Sequence, residues 1–131
     1  MTYHISKTVE DSMDGAVEKV TAALKNYGFG VLTQIDVKAT LKNKIEVDFR
    51  EYRILGACNP HFAYEALQSE DMIGTMLPCN VIVQERENGM VEVSAVDPKA
   101  SMQAISNSKL DSIAEEVRER LGCVISSLGA S

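Results

Sequence analysis

Two helical stripes, one near each end of the chain, most limit what it can fold into. Val9, Met13, Ala16, Val17, Val20, Leu24 and Tyr27 recur at three- and four-residue spacing, which places them along one side of a helix. Leu110, Ile113, Ala114, Val117, Leu121, Val124 and Leu128 do the same near the other end. Each stripe must be buried against another layer. The segments between them alternate apolar and polar residues, as half-buried strands do, so the partner layer is a sheet. Thr8 with Asp11 resembles a capping box that opens the first helix, and Gly28 suits the left-handed position after its last turn. Ser108 and Asp111 mark the start of the second, whose Glu116 and Arg120 stand one turn apart on the wet face.

Strands are predicted at residues 3–5, 29–35 and 49–57. Asp36 is placed to cap a short helix through Val37, Thr40, Leu41 and Lys44. A further short helix starts at Pro60 behind Asn59, because Asn is a strong N-cap and Pro is favoured at the first helical position. Residues 80–87 and 90–97 read as a hairpin around Asn88-Gly89. A two-residue loop would pair Glu87 with Met90 and Val83 with Ser94. A three-residue loop, Glu87-Asn88-Gly89, pairs Arg86 with Met90, Val83 with Val93 and Val81 with Ala95. Only the second gathers the small apolar residues on one face, and Gly89 suits the left-handed position of the bulge.

The predicted fold is α+β: strand, helix, four strands, helix, with an antiparallel sheet whose one face is covered by the two long helices. Tyr3, Ile5, Phe29, Val31, Tyr52, Ile54, Val81, Val83 and Val93 are expected on the covered face. His4, Gln34, Arg53, Ile82, Gln84, Arg86, Glu92 and Val96 are expected on the other, which faces solvent or packs against a second copy.

At 131 residues the chain fits a single domain, 1–131. No apolar run approaches the ~20 residues of a membrane span, and the first seven residues lack the pattern of a secretion signal, so a cytoplasmic protein is expected. The net charge is −6. Lys38, Lys42 and Lys44 form the only dense basic group, and Glu46 and Asp48 follow at once, so nucleic acid is not an expected partner. Three cysteines, an odd count, do not suggest a disulfide framework, and free thiols are the starting point.

The chemistry that the residues support centres on Cys58-Asn59-Pro60 and Leu77-Pro78-Cys79. If the strands carrying them are antiparallel neighbours, the end of one lies beside the start of the other. Read by alternation, both thiols point to the covered side at one end of the sheet. Cys58 also precedes a helix N-terminus, where free amides favour a thiolate, and His61 in that first turn is a third candidate donor. The opposing reading is that both cysteines pack as small hydrophobes, since two ligands twenty residues apart lack the specificity of paired knuckles. His4 is expected on the open face, Cys123 as packing in the last helix, and the methionines as core filler. Asp97-Pro98 reads as a turn and helix start. No phosphate-cradling glycine loop, dinucleotide fingerprint, His-Glu-x-x-His or nucleophile elbow occurs.

Three functions follow. The first is a small-ligand or metal-binding module using Cys58 and Cys79, with His61 as a further ligand and a divalent ion such as zinc as the metal. The second is a thiol redox protein or enzyme with Cys58 as the reactive group. The third is a dimeric partner-binding domain with structural cysteines. Whether the chain is an enzyme stays open. The motifs Cys58-Asn59-Pro60-x-x-Ala63-x-x-Ala66-Leu67, Gly74-x-x-Leu77-Pro78-Cys79-x-Val81-x-Val83, Asp97-Pro98 and Met102 resemble the bacterial and archaeal family called domain of unknown function 302. The resemblance covers nearly the whole chain. It implies a TATA-binding-protein-like fold and makes a homodimer plausible, and it supplies no activity. His61 and Cys123 lie outside the family pattern.

Overall fold

The computed structural model describes residues 2–129. The elements run β1 (His4–Glu10), α1 (Met13–Asn26), β2 (Gly30–Asp36), α2 (Val37–Ile45), β3 (Tyr52–Cys58), α3 (Pro60–Ser69), a 3-10 turn (Asp71–Met76), β4 (Cys79–Glu85), β5 (Met90–Val96), α4 (Pro98–Ser101) and α5 (Ser108–Ser127). The strands form one antiparallel sheet in the order β1-β5-β4-β3-β2, with β1 and β2 at the edges. Helices α1 and α5 lie against each other over one face. The tail Gly129-Ala130-Ser131 is expected from its sequence to fray, and its last two residues, Ala130 and Ser131, lie outside the described residues.

The first helix starts later than the capping-box reading placed it. Thr8 and Val9 belong to β1, opposite Glu92 and Val91 of β5. The ladder continues because Ile5, Lys7 and Val9 alternate with His4, Ser6 and Thr8. Ser12 is the actual cap, its hydroxyl accepting from the Gly15 amide at 3.0 Å. Asp11 instead pairs with Lys19 at 2.8 Å, and that ammonium together with the Ser12 amide holds its carboxyl below the usual range. At the other end Asn107, one residue before Ser108, caps α5 by accepting from the Lys109 and Leu110 amides. Asp36 and Asn59 cap α2 and α3 as the sequence predicts.

The hairpin takes the three-residue loop. Val83 lies opposite Val93 and Val81 opposite Ala95. The Arg86 amide donates to the Met90 carbonyl at 2.8 Å, and Asn88 and Gly89 are left-handed, with φ of 59° and 73°.

The phase of β3 is opposite to the expected one. Leu55 lies opposite Val81 and Arg53 opposite Val83, so Arg53, Leu55 and Ala57 face the helices. Arg53 reaches Asp14 of α1 at 3.1 Å from that side. Tyr52 and Ile54 therefore sit on the uncovered face. A bulge at Leu32 resets β2: Val31 is opposite Ala57, but Gln34 is opposite Leu55 and Ile35 opposite Ile54. Gln34 is thereby moved to the covered side and Ile35 to the open one. Tyr3 precedes β1 and is 72% exposed rather than part of the core.

The core is the layer between sheet and helices. Val20, Leu24, Leu55, Val81, Val83, Val93, Leu121 and Val124 are buried to 1% exposure or less. The uncovered face carries a cross-strand row of Ile35, Ile54 and Ile82, ending at Ser94. Gln84 and Ser94 are buried on this face because both are held by side-chain bonds. Arg50 donates to the Gln84 carbonyl oxygen through Nε at 3.1 Å and Nη2 at 2.9 Å, and Ser6 donates to Ser94 at 2.7 Å.

Candidate functional site

Cys58 closes β3 and Cys79 opens β4. Because Ala57 lies opposite Cys79, antiparallel pairing brings the two cysteines to one end of the sheet, as the sequence predicts. Their shared face is not as expected. Cys79 continues the helix-covered side of Val81 and Val83, whereas Cys58 follows Tyr52, Ile54 and Gly56, which the observed phase places on the other side. The strand ends at Cys58, and both residues line the same cavity. Both are half-buried.

That cavity is about 40 Å³. Three segments distant in sequence form its walls: Ala57-Cys58-Asn59 with Phe62, Ala63 and Ala66 of α3; Leu77-Pro78-Cys79; and Pro98 with Met102. Ile113, Ala114 and Val117 of α5 close it, and Phe29 contributes from the turn before β2. Apart from Asn59, its polar character comes from sulfur. Burial, and then the neighbouring Cys58, push the Cys79 thiol up to about 11, so it carries its proton at neutral pH.

Local structure explains why these segments converge. Asn59 accepts from the His61 and Phe62 amides at 3.2 and 3.3 Å, which fixes the first turn of α3 directly after Cys58. Gly28, with φ of 88°, lies behind it; a Cβ there would stand 2.9 Å from the side-chain nitrogen Nδ2 of Asn59. Gly56 leaves room for Pro78, since an added Cβ would approach the Pro78 ring to 2.8 Å and meet the Thr33 hydroxyl. Leu77-Pro78 is a cis peptide. Asp97 caps α4 by accepting from the Lys99 amide at 3.0 Å and pairs with Arg118 of α5 at 3.0 Å. It thus ties the Pro98–Met102 wall to α5, the role of a helix-start residue. Arg120 of α5 lies 4.9 Å over the Phe62 ring and fixes the α3 side.

The remaining candidates are elsewhere. His61 is exposed and is not among the residues lining the cavity. Among the described residues, no group of three or more His, Cys, Asp or Glu side chains could hold one ion. His4 stands on the open face with Nδ1 2.6 Å from the Ser6 hydroxyl. Cys123, expected to pack, is exposed: the buried stripe of α5 runs through Leu121, Val124 and Ile125, and position 123 falls on its outer side. Met102, expected as core filler and quoted among the motif residues, is buried in the core to 7% exposure and also lines this cavity.

No curated protein matches the chain. A solved structure described as an uncharacterized conserved protein DUF302 from Bacillus stearothermophilus matches with a TM-score of 0.88 and 28% identity, covering 96% of this chain and 98% of that one. The family described as "Domain of unknown function DUF302" matches residues 5–128. With the motif segments assembled into one wall system and the family match running over nearly all of its length, the chain belongs to the DUF302 family.

Proposed function

We propose that this domain binds a small ligand or a metal ion at the cavity between β3, β4 and α3, with Cys58 and Cys79 as the contacting groups. The observation that carries this reading is the convergence of three sequence-distant motif segments on one small apolar cavity that presents two thiols. Packing alone asks only that the cysteines be buried. It does not ask that the segments carrying them be braced by Asn59, Gly56 and Asp97 around a space. A tetrahedral zinc ion needs four ligands, and the two sulfurs here would leave the rest to come from outside the cavity. Ligand binding that requires thiolate must displace the firmly held proton of Cys79, so it should strengthen with rising pH.

A thiol redox role is the second reading, favoured by the placement of Cys58 immediately before the capped N-terminus of α3. Uptake of metal ions and labelling by a thiol reagent, compared between wild type and the Cys58→Ser/Cys79→Ser variant, separate these readings from pure packing. Loss of uptake supports the first, and labelling of Cys58 without uptake supports the second. Identical uptake in a folded double variant, with no labelling of Cys58 in wild type, contradicts both.

No described helix is long and apolar enough to cross a membrane. A cytoplasmic setting suits the three free cysteines, which reducing compartments preserve. We also propose a homodimer through the uncovered sheet face, supported by the Ile35, Ile54 and Ile82 row, of which Ile35 is 47% exposed.

A further inference from the structure

We propose that Met102 is a third sulfur donor, and that the cavity is a three-sulfur site for a soft monovalent cation of the copper(I) type. This deepens the binding reading above and rests on it. Met102 lines the same cavity of about 40 Å³ as Cys58 and Cys79. Met102 reaches the cavity from a different part of the fold, at the end of α4, which Asp97 caps and couples to Arg118. Its side chain is buried on a wall held in place rather than on a loose surface turn.

Donor chemistry selects the ion. Thiolate and thioether sulfurs are soft, polarisable ligands that favour copper(I) over hard cations. Copper(I) is satisfied by two or three sulfurs without water. The remaining walls named above are aliphatic and aromatic carbon, apart from Asn59, whose side-chain oxygen is already engaged by two amides of α3. Zinc in the same place would lack nitrogen or oxygen ligands to complete its tetrahedron. Each thiol that ligates gives its proton to solvent, and the metal–sulfur bond replaces the S–H bond with no change of oxidation state. Cys58 and Cys79, both half-buried, offer the route in, and buried Met102 closes the inner side.

The test is anaerobic titration of the reduced chain with copper(I) against a chromogenic copper(I) chelator, followed by X-ray absorption at the copper edge. Wild type is expected to take up one ion per chain with three sulfur neighbours. Met102→Leu conserves volume, so the fold should persist. It is expected to bind one ion through two sulfurs, with affinity lowered by about tenfold or more, in the range that loss of a supporting group at a metal site produces. A wild-type site with two sulfurs overturns the inference without relying on any variant. An unchanged affinity in Met102→Leu also overturns it, and in both cases the two-thiol reading stands. Copper uptake that survives in Cys58→Ser/Cys79→Ser overturns the inference and the reading beneath it. Absence of copper uptake by wild type, with thiol-dependent uptake of another ion, overturns the inference alone.

Discussion

Cys79 and Gly56 lie on neighbouring strands, and each is constrained by how little space surrounds it. The thiol of Cys79 is pushed from the ordinary 9.0 up to about 11 by burial, with Cys58 adding to the effect. The raised value means that the folded chain holds a proton the unfolded chain gives up. Stability from this group is complete below about pH 9 and declines as pH rises towards 11, by at most about 3 kcal/mol. Denaturant unfolding of wild type should weaken between those pH values more steeply than that of Cys79→Ala; parallel profiles would show that the thiol is not desolvated. Gly56 faces Thr33 and Pro78 with no room for a methyl group. Gly56→Ala should destabilise by about 1–3 kcal/mol through overpacking, read as a shift in urea midpoint. A midpoint equal to wild type would show that Pro78 is not held against β3.

At the scale of elements, α3 depends on its cap. Asn59→Ala removes the acceptor of two orphan amides and should cost about 1 kcal/mol, whereas Asn59→Asp should retain most of it. Thermal melts of the two variants check this: equal losses would contradict the capping role. What was legible in the sequence divides along the same line. Asn59-Pro60, Asp36 and the loop at Asn88-Gly89 were readable because each signal is satisfied within a few residues of itself. The hairpin register followed because alternation on both strands and the loop length had to agree. The extent of β1, the phase of β3 and the bulge at Leu32 were not readable in this way. They are set by the neighbouring strands, and Tyr52 and Ile54 look as apolar as Leu55 until Val81 and Val83 are placed opposite. Cys123 was expected to pack because it lies between Leu121 and Val124, but a single helical step turns its side chain away from the stripe that those two residues share. The convergence of Cys58 and Cys79 was foreseen from strand adjacency. Met102 was not, because its approach depends on the Asp97–Arg118 tie between α4 and α5.

For the whole molecule, one sheet face is closed by α1 and α5 and the other is left with an isoleucine row flanked by hydrogen-bonded polar side chains. If a second copy covers that row, Ile82→Glu places a charge in the interface and should convert a dimer to a monomer in solution mass measurements. A wild-type chain that is already monomeric at high concentration would remove the dimer. The thiol cavity lies at the end of the same sheet, so the two features can be tested independently. The central claim is that the cavity at Cys58 and Cys79 binds something. Native mass spectrometry of the reduced chain, purified without chelator and then offered metal ions, reads this directly. The expected result is an added mass of one ion or small molecule per chain in wild type and none in Cys58→Ser/Cys79→Ser. Spectra that are the same for both proteins, with a folded charge-state distribution in each, would contradict it and leave the cysteines as packing.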